Sequence, residues 1–152
     1  MKKTIYLLTV VTTIFLTGCQ NENSVNPRPT EEIVSTVTIS GRVRAELVTT
    51  NAVLENAPDG LKIVAEISTR DLAQNPSSSI TYPNKYYETT LSNGQYSINV
   101  EAGPFGSTVR LYFPDFRADV QTASTPVSTL FSGATRTDFV VKGVSSIVDF
   151  NY

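Results

Sequence analysis

The chain has 152 residues, with 12 Lys and Arg against 14 Asp and Glu, a single Cys, and neither His nor Trp. That length sets an expectation of one domain. The missing histidine excludes a Ser-His-Asp triad, a Cys-His pair and His-ligated zinc or haem. A lone cysteine excludes an intrachain disulfide or a Cys-rich metal cluster, and the mildly acidic balance gives nucleic-acid phosphates nothing to hold. No catalytic residue, metal, cofactor or nucleic-acid partner is therefore expected.

Taken in chain order, Lys2 and Lys3 precede an apolar stretch from Ile5 to Leu16. That stretch is too short to cross about 30 Å of hydrocarbon at about 1.5 Å per residue, and it fits the h-region of a secretory signal peptide. The Leu16-Thr17-Gly18-Cys19 run that ends it resembles the lipobox of bacterial lipoproteins. The resemblance implies removal of residues 1–18 and lipidation of Cys19, whose thiol is the nucleophile that accepts the diacylglyceryl group. Two or more acyl chains anchor stably where one is marginal. The membrane, reached through Cys19, is thus the first expected partner. By the same resemblance, Gln20 lacks the Asp that marks inner-membrane retention, so the expected location is the outer membrane, periplasmic or surface-facing.

Residues 19–35 read as a flexible tether: polar, carrying Pro27 and Pro29, and without apolar periodicity until Ile33. Its reach lies between about 22 Å as a coil and about 50 Å fully extended. Residues 36–152 then alternate apolar and polar with period two, as strands do when one face is buried and the other wet. The pattern predicts strands over about 36–47, 61–68, 86–91, 95–101, 108–113, 137–142 and 147–152, with no amphipathic helix. Short strands separated by turn signals imply an all-β fold, a single antiparallel β-sandwich of about seven strands.

Asn93-Gly94 is the favoured two-residue loop of a type I′ hairpin. A hairpin in that register pairs Leu91 with Tyr96, Thr89 with Ile98 and Tyr87 with Val100 on an apolar face. Tyr86 would then meet Glu101 on the other face. The connections Thr69–Lys85 and Pro114–Arg136 are long enough to be read as functional or disordered loops. If every connection reverses direction, 69–85 lies at the end where the first strand starts, and 114–136 lies at the opposite, membrane-distal end. There Phe116 and Phe131 are candidate contacts of a recognition surface. The last strand, ending at Tyr152, either pairs only within its own sheet or offers an edge to a partner.

Three runs carry a further resemblance: Ile39-Ser40-Gly41-Arg42-Val43, Ala57-Pro58-Asp59-Gly60, and Thr90-Leu91-Ser92-Asn93-Gly94-Gln95-Tyr96. Together they are similar to the carboxypeptidase-regulatory-like, or transthyretin (prealbumin)-like, β-sandwich, with Leu91 where that pattern has Asp. The resemblance spans residues 37–113 and implies a prealbumin- or Ig-like sandwich, exported and non-catalytic. Fold alone does not fix function.

Two functional expectations follow. The first is a non-catalytic interaction or accessory module with a protein partner in the envelope. The alternative is a glycan or other ligand receptor, in which Tyr82 and the outward Tyr86 and Tyr112 offer apolar ring faces and polar hydroxyls to a sugar. An enzyme is the least supported class. The acidic residues are scattered without a calcium-loop run, and Asp115 and Asp119 have no supporting acids for glycosidase chemistry.

Overall fold

The computed structural model describes residues 34–152. The signal-peptide and Cys19 expectations, and the tether up to residue 33, lie outside the described residues, while Ser35 already belongs to β1. The fold is all-β and sandwich-like, built on β1 (Ser35–Ala45), whose alternate side chains Val37, Ile39, Val43 and Ala45 are buried. On one flank β1 pairs antiparallel with β5 (Gln95–Ala102), from Ser35↔Ala102 to Arg42↔Gln95. The two-residue β2 (Glu55–Asn56) carries that flank onward by pairing with Arg44 and Ala45. On the other flank run β10 (Ser146–Ile147) and β11 (Phe150–Asn151), both parallel to β1.

The facing sheet has the order β4 (Asn84–Thr90), β3 (Lys62–Ser68), β6 (Ser107–Phe113), β9 (Ala134–Val140), antiparallel throughout. Ile63, Ala65, Ile67, Val109, Leu111 and Phe113 point from it into the common core. Burial of these side chains, at about 25 cal/mol per Å² of apolar surface, is the main force holding the sheets together. At one sheet edge the Lys85 ammonium meets the Glu101 carboxylate at 2.7 Å, joining β4 to β5. Gly41 occupies an inward position of β1 where a Cβ would lie 2.0 Å from the Val148 carbonyl oxygen and 3.0 Å from the Tyr96 ring. Tyr96 uses that space to donate its hydroxyl to the same carbonyl at 2.8 Å.

The Asn93-Gly94 turn forms as expected. Both residues have positive φ, 51° and 67°, and Ser92 and Gln95 exchange two backbone hydrogen bonds of 2.9 Å. The predicted hairpin does not continue beyond it. Leu91 turns to β3, donating its N–H to Leu61 and accepting from Gly60, while the Gly94 carbonyl accepts from Val43 on β1. The two arms therefore separate into opposite sheets, so Leu91, Ile98 and Val100 meet across the core instead of along a ladder. Side-chain alternation is the same in both arrangements, and competition from β1 and β3 for backbone partners decides between them.

The connection 114–136 is not a structureless loop. It holds an antiparallel hairpin of β7 (Phe116–Val120) and β8 (Val127–Phe131), with Phe116 opposite Phe131. Within 69–85 a single helical turn, α1 (Thr69–Leu72), buries Leu72 and is capped by the Ser68 side chain. The last strand is interrupted but keeps one register along β1, since Val148 N–H donates to Ser40 and Tyr152 N–H to Arg44. It is parallel because successive reversals leave it running in the same direction as β1, its neighbour.

An aromatic chain binds these elements. Phe113 stacks on Phe150 at 4.4 Å, Phe150 meets Tyr152 edge-on at 4.7 Å, and Tyr152 meets Phe116 edge-on at 4.7 Å. Phe116 in turn stacks on Phe131 at 4.8 Å. The Tyr152 hydroxyl donates to the Pro114 carbonyl at 2.6 Å.

Candidate functional site

The two ends of the sandwich differ in construction. The chain enters β1 at the end shared by α1, the β5–β6 turn and the β9–β10 turn. The opposite end carries the β7–β8 hairpin and the 46–61 connection. These are joined by hydrogen bonds from Gln121 N–H to Leu47 and from Thr49 N–H to Gln121, at 2.8 and 3.0 Å. Glu55 holds the 46–61 connection by accepting the N–H groups of Leu47 and Val48 at 2.8 and 3.1 Å.

Phe116 and Phe131, expected as contacts at this end, face each other across the β7–β8 hairpin. Phe116 is buried, and Phe131 is partly buried and packs against the core. Their stacked rings close the aromatic chain over Tyr152, because a hairpin at the mouth of a sandwich covers the core with its inward residues. The apolar side chains that this end does present to solvent are Val53, Val127 and Leu130.

The three tyrosines also separate. Tyr82 is half-buried within its own connection, where its hydroxyl accepts the Ser77 N–H at 2.9 Å. Tyr86 and Tyr112 both lie on the outer face of the β4-β3-β6-β9 sheet. Cross-strand register places Tyr86 beside Glu66 and Glu66 beside Arg110, with Tyr112 beside Val64 in the next row. Tyr86 is 60% exposed. Tyr112 is half-buried because its hydroxyl donates to the Glu66 carboxylate, and that hydrogen bond holds its pKa above the ordinary tyrosine value.

Glu66 is the hub of this face. Besides Tyr112 it accepts from Asn84 Nδ2 at 2.8 Å, and the Arg110 guanidinium stands 3.8 Å away. Only 12% of its side chain is exposed, against 60% for Arg110. Beside it a shallow cavity of about 320 Å³ is lined by Glu66, Asn84, Arg110, Arg70 and Asp71 among others. Asp71 is fixed there by accepting the Thr108 N–H at 2.9 Å. Acceptors and donors thus alternate next to an exposed aromatic ring. This combination suits a neutral polyhydroxylated ligand better than a strongly charged one. A second cleft, about 290 Å³, lies on the outer face of the other sheet against Ser40, Arg42, Gln95 and Asp149.

The strand alternation marked Glu66 and Arg110 only as outward-facing, and Asn84 fell within the 69–85 connection, where β4 begins. Their signal was register, because they become a cluster only when β4, β3 and β6 are set side by side. Among the described residues, no group of three His, Cys, Asp or Glu side chains could hold a metal ion, and no helix is long and apolar enough to cross a membrane. No protein-family model matches the chain, and no curated protein does either.

Proposed function

We propose that this chain is a lipoprotein anchored through Cys19, whose sandwich serves as a non-catalytic interaction module at the outer membrane or cell surface. The observation that carries this reading is the polarity of the domain. The polypeptide arrives at Val34 at one end, and the elaborated, cross-linked loops stand at the other. A tether at the first end presents the second to the envelope or the medium. The runs similar to the carboxypeptidase-regulatory-like domain fall on β1, on the turn before β3 and on the 92–95 turn, which is where a scaffold would keep them. On this reading the sandwich is the support, and Val53, Val127 and Leu130 are the contacts. The test is site-specific photo-cross-linking from positions 53 and 130 in intact envelopes, with position 38 on the outer face of β1 as reference. A discrete protein adduct from the first two and not the third is expected. Adducts from position 38 alone would refute the assignment of the distal end.

A second reading is favoured by one observation, the exposed Tyr86 ring beside the Glu66–Asn84–Arg110 cluster. Here the outer sheet face stacks a sugar ring on Tyr86 and hydrogen-bonds its hydroxyls through the cluster. Retention in polysaccharide affinity gels that Tyr86→Ala abolishes would favour it. Equal mobility of both proteins in every gel would remove it.

A further inference from the structure

The exposed large apolar side chains are concentrated at the tether end. Phe105 is 74% exposed at the tip of the β5–β6 turn, and Phe139, near the end of β9, is 58% exposed. The two line one cavity of about 260 Å³, which also touches Arg70. Their proximity depends on Gly106, where a Cβ would stand 2.4 Å from the Phe139 ring. Val141 and Val144 close the next turn by a 3.2 Å hydrogen bond, with Lys142 exposed between them. Val34, also exposed, is where the chain enters. Apolar groups gathered at one end of a water-facing domain mark a surface that is covered in use.

The position of the chain entry identifies the cover. Cys19 and Val34 are separated by so few residues that this end cannot stand more than about 50 Å from the anchored cysteine. A short tether keeps the local concentration of bilayer at the patch high enough for a weak surface to dock. The basic residues fit as well, since Arg70 and Lys142 are exposed at the same end, where cations meet anionic headgroups.

We propose that the tether end is a bilayer-docking surface, in which Phe105, Phe139 and the 141–144 turn enter the phospholipid headgroup region. Arg70 and Lys142 pair with lipid phosphates. The proposal rests on the reading of Cys19 as the lipid anchor. It adds that the sandwich stands on the membrane in a fixed orientation with its loops outward, instead of swinging freely. Interfacial segments bury their apolar side about 5–10 Å into the headgroup boundary, a depth that the Phe105 turn can reach without unfolding a strand.

The absence of Trp from the chain makes a clean test. The full-length protein is produced with its leader, so that the mature form carries its native N-terminus. It is then reconstituted in phosphatidylethanolamine–phosphatidylglycerol vesicles as the single-tryptophan variants F105W, V144W and L130W. For F105W and V144W, emission shifts to the blue, and quenching by lipids brominated near the headgroup is several-fold stronger than for L130W at the far end. Equal quenching of the three overturns the proposal. So does a solvent-like F105W and V144W pair whose positions cross-link to a protein in intact envelopes. The mass of the mature chain separates this failure from that of the anchor. An acylated, floating protein with unquenched indoles overturns docking alone, and an unacylated protein that stays soluble overturns the anchor and docking together.

Discussion

Truncation of Phe150 to alanine is expected to cost about 4 kcal/mol, within the range of about 3–5 kcal/mol for emptying a buried phenylalanine site. Phe150 is 4% exposed, stacked on Phe113 at 4.4 Å and crossed by Tyr152 at 4.7 Å, with the Arg136 guanidinium 5.2 Å above its ring. Its removal thus cuts the aromatic chain between the facing sheet and the β7–β8 hairpin. For a domain of this size the loss lowers Tm by about 15 °C. It takes a large share of the roughly 5–15 kcal/mol that keeps a domain folded. Urea unfolding followed by far-UV circular dichroism measures it, the midpoint falling while the slope stays constant. The same strand supplies a control, because Ile147 is 78% exposed, so Ile147→Ala should change stability by less than about 0.5 kcal/mol. A loss below about 1 kcal/mol for Phe150→Ala would refute the reasoning, since a core ring cannot be removed so cheaply. The strand would then be a peripheral flap, free to pair with a partner. The full loss instead makes residues 146–151 a structural member of the β1 sheet, unavailable for donation.

The remaining predictions test other parts of the structure. Gly41→Ala places a Cβ 2.0 Å from the Val148 carbonyl oxygen. It should destabilise by about 1–3 kcal/mol through forced displacement of backbone, seen in the same urea titration. Burial pushes the Tyr87 hydroxyl up to about 12 from 10.0, helped by the Glu101 carboxylate, and burial with the Asp115 charge pushes Tyr152 up to about 12. The folded chain therefore keeps protons that the unfolded chain releases. Stability is full below the unfolded value of 10.0 and falls as pH rises through about 12. Urea midpoints across that window, beside phenolate absorbance, check the sign. Cys19→Ser should move the protein from the membrane to the soluble fraction and remove acyl mass from its N-terminus. A wild-type protein already soluble refutes the anchor.

What the sequence made legible divides along a physical line. Period-two alternation located the inward residues of β1, β3, β5 and β6, because burial depends only on which side of a strand a residue faces. The type I′ turn at Asn93-Gly94 was equally legible, being fixed by two local φ angles. The partner of each strand was not. Residues 86–91 and 95–101 have one inward face whether they form a ladder or oppose each other across a core, and only the competition of β1 and β3 for the same backbone groups sends them to different sheets. The packing of Phe116 on Phe131 was hidden for a related reason. Their spacing marked a loop of unusual length, yet β7 and β8 each run only five residues, too short for alternation to stand out from chance. Direction was more robust than partnership. Counting reversals put 69–85 at the start of β1 and 114–136 opposite, and the unpredicted β7 and β8 left that assignment intact because a hairpin adds an even number of reversals. The same parity leaves the first and last strands running in one direction, so they pair parallel where they lie side by side. The outer-face cluster of Glu66, Asn84 and Arg110 lay beyond this reach, because it exists only in the register of three strands whose order the chain does not spell out. Function concentrated in such a cluster is invisible to periodicity, whereas function carried by a tether, an end and an apolar turn follows from chain direction alone.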